Sequence, residues 1–163
     1  MRMDLIQPFI NAADAVLAQA LRCRTQVEEV AMDEKPYQRH GVAAMVQVSG
    51  DIEGYFLLDA DVEAAIAAAA SLSGSEVKAG DPIIGEAMLE LANQVIGNAV
   101  TTLNNQGFSF RVHPPVLHEA ALGQSTTEDT EALMMCFQTS SGKVFMNIAL
   151  RYVPQATTQA AGV

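Results

Sequence analysis

The sequence predicts a single α/β domain of the α+β type, in which a mostly antiparallel sheet carries helices packed on one face. Segments with helical spacing of apolar residues and segments with strand-like spacing occur in blocks, in the order helix, three strands, two helices and several strands. Because short turns join neighbouring strands, hairpins are expected, and hairpins favour an antiparallel two-layer arrangement. A length of 163 residues suits one domain with a substantial core.

Three segments show apolar residues at helical spacing. These predicted helices cover residues 5–21, 62–72 and 82–104. Asp4 is expected to cap the first helix, with Pro8 tolerated in its first turn, and Asp61 precedes the second. The pair Asp81-Pro82 is a strong start signal for the third helix, because a carboxylate can cap free N–H groups and proline loses nothing at the first helical position.

The predicted strands are short segments of strand-like spacing bounded by turn residues. They cover residues 25–32, 42–48, 53–58, 108–112, 116–120, 132–139 and 143–153. Ser49-Gly50 and Ser140-Ser141-Gly142 are turn signals between paired strands. Since nothing large and apolar follows Pro154, we expect the domain to span residues 1–153 and residues 154–163 to form a frayed tail.

Charge and hydropathy exclude several classes of function. Nine Lys and Arg against 19 Asp and Glu give a formal net charge of −10, which repels nucleic-acid backbones and anionic lipid surfaces alike. The first residues are too polar for a signal peptide, and the longest apolar run, residues 64–70, is too short to span a bilayer. We therefore expect a cytoplasmic protein that binds neither nucleic acid nor membrane.

Metal, disulfide and nucleotide motifs are not found. Cys23 and Cys136 lie far apart and form no Cys-x-x-Cys motif, so neither a zinc knuckle nor a disulfide framework is predicted. The spacing of His113, His118 and Glu119 suits no common metal site. No phosphate-binding loop or nucleophile elbow occurs either, and we predict no metal site.

The third predicted helix carries an unusual polar stripe. Glu86, Glu90, Asn93 and Gly97 follow one another at steps of four, three and four, opposite the apolar face. Asparagine is a weak helix former, and a mid-helix glycine costs about 1 kcal/mol relative to alanine. A carboxylate, an amide and a bare backbone in a row suggest a docking surface for another protein.

The charge pattern of this helix bears on the same stripe. No Lys or Arg occurs between Lys78 and Arg111, so neither acid has a basic partner at i+4. The helix dipole accounts for Glu86 in the first turn but less well for Glu90. Spacing alone leaves two alternatives, a docking surface or an ordinary solvated helix face, because Glu-x-x-Asn pairs are common in helices.

The segment IGEAMLELANQVIGNAVTTL, residues 84–103, resembles the signature helix of the CheC/CheX/FliY family of chemotaxis phosphatases. That signature is a Glu, an Asn three residues later and a Gly four residues after that, here Glu90, Asn93 and Gly97. Further likenesses to CheX occur in the family's order, in the segments LIQPFINAADAVL, VSGDIEGYFLL and FSFRVHPPVL. A single copy of the motif matches CheX better than CheC, which bears two.

The resemblance implies a CheX/CheC-like fold and an enzyme that removes phosphate from the aspartyl phosphate of a CheY-like receiver domain. By this resemblance Asn93 orients the attacking water and Glu90 contacts the receiver's lysine. Gly97 permits close contact and Glu86 lies at the rim. The chain then needs no cofactor of its own, since Mg²⁺ belongs to the receiver, and a homodimer through the sheet is implied.

Two other functions remain open at this point. The chain is alternatively a non-catalytic binding module that docks a phosphorylated receiver or a flagellar-switch component and leaves the phosphate in place. A weaker alternative is a degenerate homologue with no receiver partner, although the presence of both Glu90 and Asn93 argues against it.

Overall fold

The computed structural model describes residues 2–33, 37–118 and 131–154. Within them, three helices and seven strands are found, in the predicted order. The helices are α1 (Met3–Leu21), α2 (Val62–Ser73) and α3 (Ile83–Asn105). The strands are β1 (Gln26–Asp33), β2 (Val42–Gly50), β3 (Ile52–Ala60), β4 (Phe110–Val112), β5 (Val116–Leu117), β6 (Ala132–Thr139) and β7 (Gly142–Tyr152).

The described strands form one seven-stranded sheet in which every pairing is antiparallel. The order is β1-β6-β7-β3-β2-β4, and β5 also pairs with β2. Two hairpins, β2–β3 and β6–β7, account for the centre, joined through the β3–β7 pairing. The predicted fold class is therefore confirmed.

The main core lies between one face of this sheet and the helices. Helix α3 crosses β2 and packs against both α1 and α2. Phe9 of α1 lies against Phe56 of β3, with ring centroids 5.6 Å apart, and both rings are fully buried. Burial of this kind supplies the main driving force for folding. The apolar face of α3 is buried in the same core, so its opposite face points outward.

The start of the first helix differs from the prediction. Helix α1 begins at Met3, so Asp4 lies inside the first turn and does not cap it; Arg2 precedes the helix. The Arg2 guanidinium donates to both carboxylate oxygens of Asp4, at 3.1 and 2.5 Å, and stacks over the rings of Phe108 and Tyr152. Since the helix begins at Met3, Pro8 falls in its second turn.

The carboxylate of Asp61 also takes an unexpected partner. It makes no capping bond to α2 and accepts the backbone N–H of Lys143 at 2.9 Å instead. Asp61 thus ties the start of α2 to the β6–β7 hairpin. The predicted turn of that hairpin, at Ser140-Ser141, is confirmed.

Asp59 is a fully buried carboxylate at the end of β3. It accepts hydrogen bonds from the Tyr37 hydroxyl at 2.6 Å and from the backbone N–H groups of His40 and Gly41 at 2.5 and 2.9 Å. Burial, followed by the adjacent Asp59 carboxylate, raises the pKa of Tyr37 far above its usual range. Asp59 therefore holds the segment that leads into β2.

Several other predictions concern parts of the chain that differ or fall outside the description. Strand β5 is two residues long, not five, and residues 119–120 of its predicted span and the tail at 155–163 lie outside the described residues. Cys136 is buried and Cys23 is half-buried, and both are free thiols. No helix in the described part of the chain is long and apolar enough to cross a membrane.

Candidate functional site

Helix α3 is fixed at its first residue by the predicted capping carboxylate. The backbone N–H of Ile83 donates to Asp81 Oδ1 at 3.0 Å, and the N–H of Ile84 donates to the Asp81 carbonyl at 3.1 Å. A side-chain acceptor at this place satisfies a donor that the helix leaves unpaired. The predicted start signal is thus confirmed, with Pro82 between the cap and Ile83.

The first turn of α3 also packs tightly against β5. A Cβ atom at Gly85 would lie 2.9 Å from Leu117 Cδ1, closer than carbon atoms normally approach. The side chain of Leu117 occupies the space that a larger residue would need. This contact holds the N-terminal end of α3 against β5, and the polar stripe begins at that end.

One face of α3 is buried and the other is open. The buried residues are Ile84, Ala87, Met88, Leu91, Ala92, Val95, Ile96, Ala99 and Leu103. All four residues of the predicted stripe, Glu86, Glu90, Asn93 and Gly97, are exposed on the opposite side. The fold thus places together, on one accessible helix surface, the residues that the sequence singled out. Their roles stay predictions.

Asn93 carries an amide that the fold does not use. Its side chain makes no hydrogen bond with any residue in the described part of the chain. The carbonyl oxygen can accept from a water molecule while the NH₂ group donates to an anionic oxygen. Both functions are therefore available to a second molecule.

Glu90 has a side-chain partner that the charge pattern did not reveal. Gln94 Nε2 donates to Glu90 Oε1 at 3.1 Å, one helical turn further along. The expectation that this acid lacks a basic partner is met, but the acid is not without a hydrogen bond. Testing position i+4 for amides as well as for Lys and Arg finds Gln94 in the sequence.

Gly97 is a glycine that the fold itself does not require. A Cβ atom at this position would meet nothing within 4 Å, and the backbone has ordinary helical angles. Thr101 Oγ1 donates to the Gly97 carbonyl at 3.0 Å, so the backbone is already partly satisfied from its own helix. The open space above Gly97 leaves room for the close approach of another backbone.

Among the described residues, no cation pairs with the acids of the stripe. None of the ion pairs of the described residues, Arg2–Asp4, Lys143–Glu28 and Arg151–Glu53, includes a residue of α3. The Glu86 side chain makes no hydrogen bond or ion pair with any described residue, and the Glu90 carboxylate binds only the neutral amide of Gln94. A cationic group on a partner therefore meets two available carboxylates.

The two histidines of the segment that follows α3, His113 and His118, lie in different surroundings. His113 is exposed and its Nε2 lies 3.2 Å from Ser49 Oγ. Partial burial, followed by the charge of Arg39, lowers the pKa of His118 below its ordinary value. Among the described residues, which exclude Glu119, no group of three metal-ligating side chains is found.

Comparison with known proteins identifies relatives across most of the chain. A family described as "Chemotaxis phosphatase CheX" matches residues 42–138, a span that includes the whole of α3. No curated protein sequence matches the chain. Among solved structures, a CheC-like superfamily protein from Shewanella is similar with a TM-score of 0.81 and 18% identity, covering 93% of this chain and 99% of the other.

Two CheX structures are similar over almost their whole length. CheX from Vibrio vulnificus gives a TM-score of 0.78 at 18% identity, covering 91% of this chain and 99% of the other. CheX from Borrelia burgdorferi, solved in a complex with CheY, BeF₃ and Mg²⁺, gives 0.71 at 30% identity, covering 92% and 99%. This chain is a member of the CheX family of chemotaxis phosphatases.

Proposed function

We propose that this chain hydrolyses the aspartyl phosphate of a CheY-like receiver domain, with Asn93 orienting the attacking water and Glu90 contacting the receiver. The observation that carries the proposal is the exposed Asn93 amide, which has no hydrogen bond within the described residues and lies in the segment that matches the CheX family. The similar CheX from Borrelia burgdorferi was solved with CheY.

The proposed hydrolysis requires little beyond correct positioning of the attacking water. An acyl phosphate is already reactive, and the receiver supplies Mg²⁺ and a lysine that hold the phosphoryl oxygens. Phosphoryl transfer depends mainly on an in-line nucleophile and on charge stabilisation. Asn93, inserted into the receiver's site, accepts a hydrogen bond from the water through its carbonyl oxygen and donates from its NH₂ to a phosphoryl oxygen. The bond between phosphorus and the aspartyl oxygen then breaks as the water oxygen binds phosphorus.

Glu90 and Glu86 serve docking. The receiver's lysine pairs with Glu90 one helical turn before Asn93, which fixes the register of the two proteins. Such a charge pair fixes orientation, raises the association rate and adds a modest share of the affinity. Glu86 extends the acidic surface at the rim, and Gly97 lets the receiver's backbone approach the helix closely.

The decisive experiment measures decay of the phosphorylated receivers encoded by the chain's own genome, with and without each variant. Wild type is expected to accelerate decay of at least one receiver, and Asn93→Ala to lose acceleration by on the order of 10²-fold while still binding. Asn105→Ala is the matched control, because Asn105 is an exposed asparagine at the far end of the same helix.

Two outcomes contradict the proposal. If wild type binds a phosphorylated receiver without shortening its lifetime, the chain is a binding module. If Asn93→Ala accelerates decay as well as Asn105→Ala does, the water is oriented by another group.

We also propose that two copies associate through the sheet. Within the described residues β1 pairs only with β6, and its outer edge is open. Val27, Val30 and Met32 are exposed along it. An open edge strand presents unpaired backbone N–H and C=O groups to which another chain can bind. Light scattering is expected to report a dimer for wild type and a monomer for Val30→Lys; a wild-type monomer at micromolar concentration contradicts the dimer.

A further inference from the structure

We infer that Gln94 is a positioning residue that holds the Glu90 carboxylate ready for the receiver's lysine. The inference rests on the proposed function and deepens it. Its starting point is the hydrogen bond from Gln94 Nε2 to Glu90 Oε1 at 3.1 Å, between two side chains at the surface of α3. In the described part of the chain, Glu86 has no comparable bond.

The hydrogen bond restrains a side chain that is otherwise free. A glutamate at the surface samples many rotamers, and fixing it on binding costs conformational entropy. Gln94 meets part of this cost before the receiver arrives, because it holds one oxygen of Glu90 in the unbound protein. Preorganisation of this kind raises affinity without adding a contact to the partner.

The geometry leaves the other half of the carboxylate available. Gln94 engages only Oε1, so Oε2 can accept from an ammonium group of the receiver. Side chains on a helix normally lean towards its N-terminus. The Gln94 side chain therefore reaches back one helical turn to meet Glu90.

The lack of charge on Gln94 is as important for this role as the length of its side chain. A lysine four residues after a glutamate forms a favourable helix ion pair. At position 94 it would occupy the Glu90 carboxylate with the chain's own cation, which then competes with the receiver's lysine. An amide orients the acid and leaves its charge for the partner.

The test uses a receiver whose decay the wild type accelerates, loaded with BeF₃ and Mg²⁺ so that no hydrolysis interferes with binding. Gln94→Met removes the donor while keeping length and helix propensity. It is expected to weaken binding roughly three- to tenfold. Gln94→Lys is expected to weaken binding by about tenfold or more. Gln19→Met, at an exposed glutamine of α1, is the matched control and is expected to bind as wild type.

A double-mutant cycle separates positioning of Glu90 from a general effect on the helix. In a Glu90→Gln background, Gln94→Met is expected to change binding by less than about twofold, since no carboxylate is left to orient. Urea unfolding of each variant shows whether the helix is intact. Gln94→Glu keeps the length of the side chain without the donor and is expected to behave as Gln94→Met or worse.

The outcomes show separately whether the positioning role of Gln94 fails and whether the proposed function fails. If Glu90→Gln weakens binding but Gln94→Met does not, the positioning role is wrong and the proposed function stands. The positioning role is equally wrong if Gln94→Met weakens binding to the same extent with and without Glu90. If Glu90→Gln leaves binding unchanged, the docking role of Glu90 is wrong and the inference fails with it. No binding or acceleration by wild type for any receiver overturns both.

Discussion

Asp81 Oδ1 accepts a 3.0 Å hydrogen bond from the backbone N–H of Ile83, the first residue of the helix that carries the exposed polar stripe. Replacing a capping carboxylate by alanine typically costs about 1 kcal/mol of stability. Asp81→Ala is therefore expected to lower the free energy of unfolding in urea by about that amount. Asp81→Asn keeps an acceptor and is the control. Equal stability of Asp81→Ala and wild type would show that the cap contributes nothing.

Gly97 is expected to lower the stability of the fold while favouring activity. Since a Cβ atom there meets nothing within 4 Å, Gly97→Ala is expected to raise the free energy of unfolding by about 1 kcal/mol. Under the proposed function the added methyl group occupies the surface that meets the receiver's backbone, so acceleration of receiver decay should fall. Unfolding in urea and the decay assay measure the two effects.

Gly85 provides the contrast within the same helix. A Cβ atom at this position meets Leu117 Cδ1 at 2.9 Å, so Gly85→Ala gains helix propensity but must displace that side chain. Its net stabilisation should be smaller than that of Gly97→Ala. A larger gain at Gly85 than at Gly97 contradicts the difference in local space between the two positions.

Asp59 is expected to be the most sensitive polar position among the described residues. Asp59→Ala leaves the Tyr37 hydroxyl and two backbone N–H groups without their acceptor, which predicts a loss of about 3 kcal/mol or more in urea unfolding. Tyr37→Phe removes one donor only and should cost about 1 kcal/mol. A cost for Tyr37→Phe as large as that of Asp59→Ala would mean that the hydroxyl alone holds the segment.

The lowered pKa of His118 predicts that the stability of the fold depends on pH. Its pKa in the folded protein is lowered from 6.5, first by burial and then by the charge of Arg39. The unfolded chain therefore binds this proton more readily, and His118 should reduce stability as the pH falls through 6.5 towards the lowered pKa. NMR titration of the imidazole should give a midpoint below 6.5, and Arg39→Gln should raise it. A wild-type midpoint at or above 6.5 contradicts this assignment.

The elements of the fold were predictable because they are written in local patterns. The period of apolar residues and the turn signals at Ser49-Gly50 and Ser140-Ser141 identify helices and hairpins without any knowledge of distant contacts. The order of the strands is different. Strand β1 pairs with β6, from the other end of the chain, and no local pattern specifies such a pairing.

Polar contacts likewise differ in whether a local pattern in the sequence predicts them. The cap at Asp81 was predictable since its partner is two residues away, whereas the predicted cap at Asp4 is wrong because the helix begins at Met3 and the Asp4 carboxylate binds Arg2. The exposure of Glu90 and Asn93 followed from the apolar face opposite them. Gln94 was missed although its signal is local, because only charged partners were considered at i+4.

The pairing of β1 with β6 has a consequence for how the chain matures on the ribosome. Gln26 aligns with Gln138, so the sheet brings together residues that are far apart in the order of synthesis. Closing so wide a loop is entropically costly and slows folding. Until the β6–β7 hairpin is translated, β1 has no neighbour among the described strands, and a nascent chain at that stage carries an unpaired strand that chaperones are suited to shield.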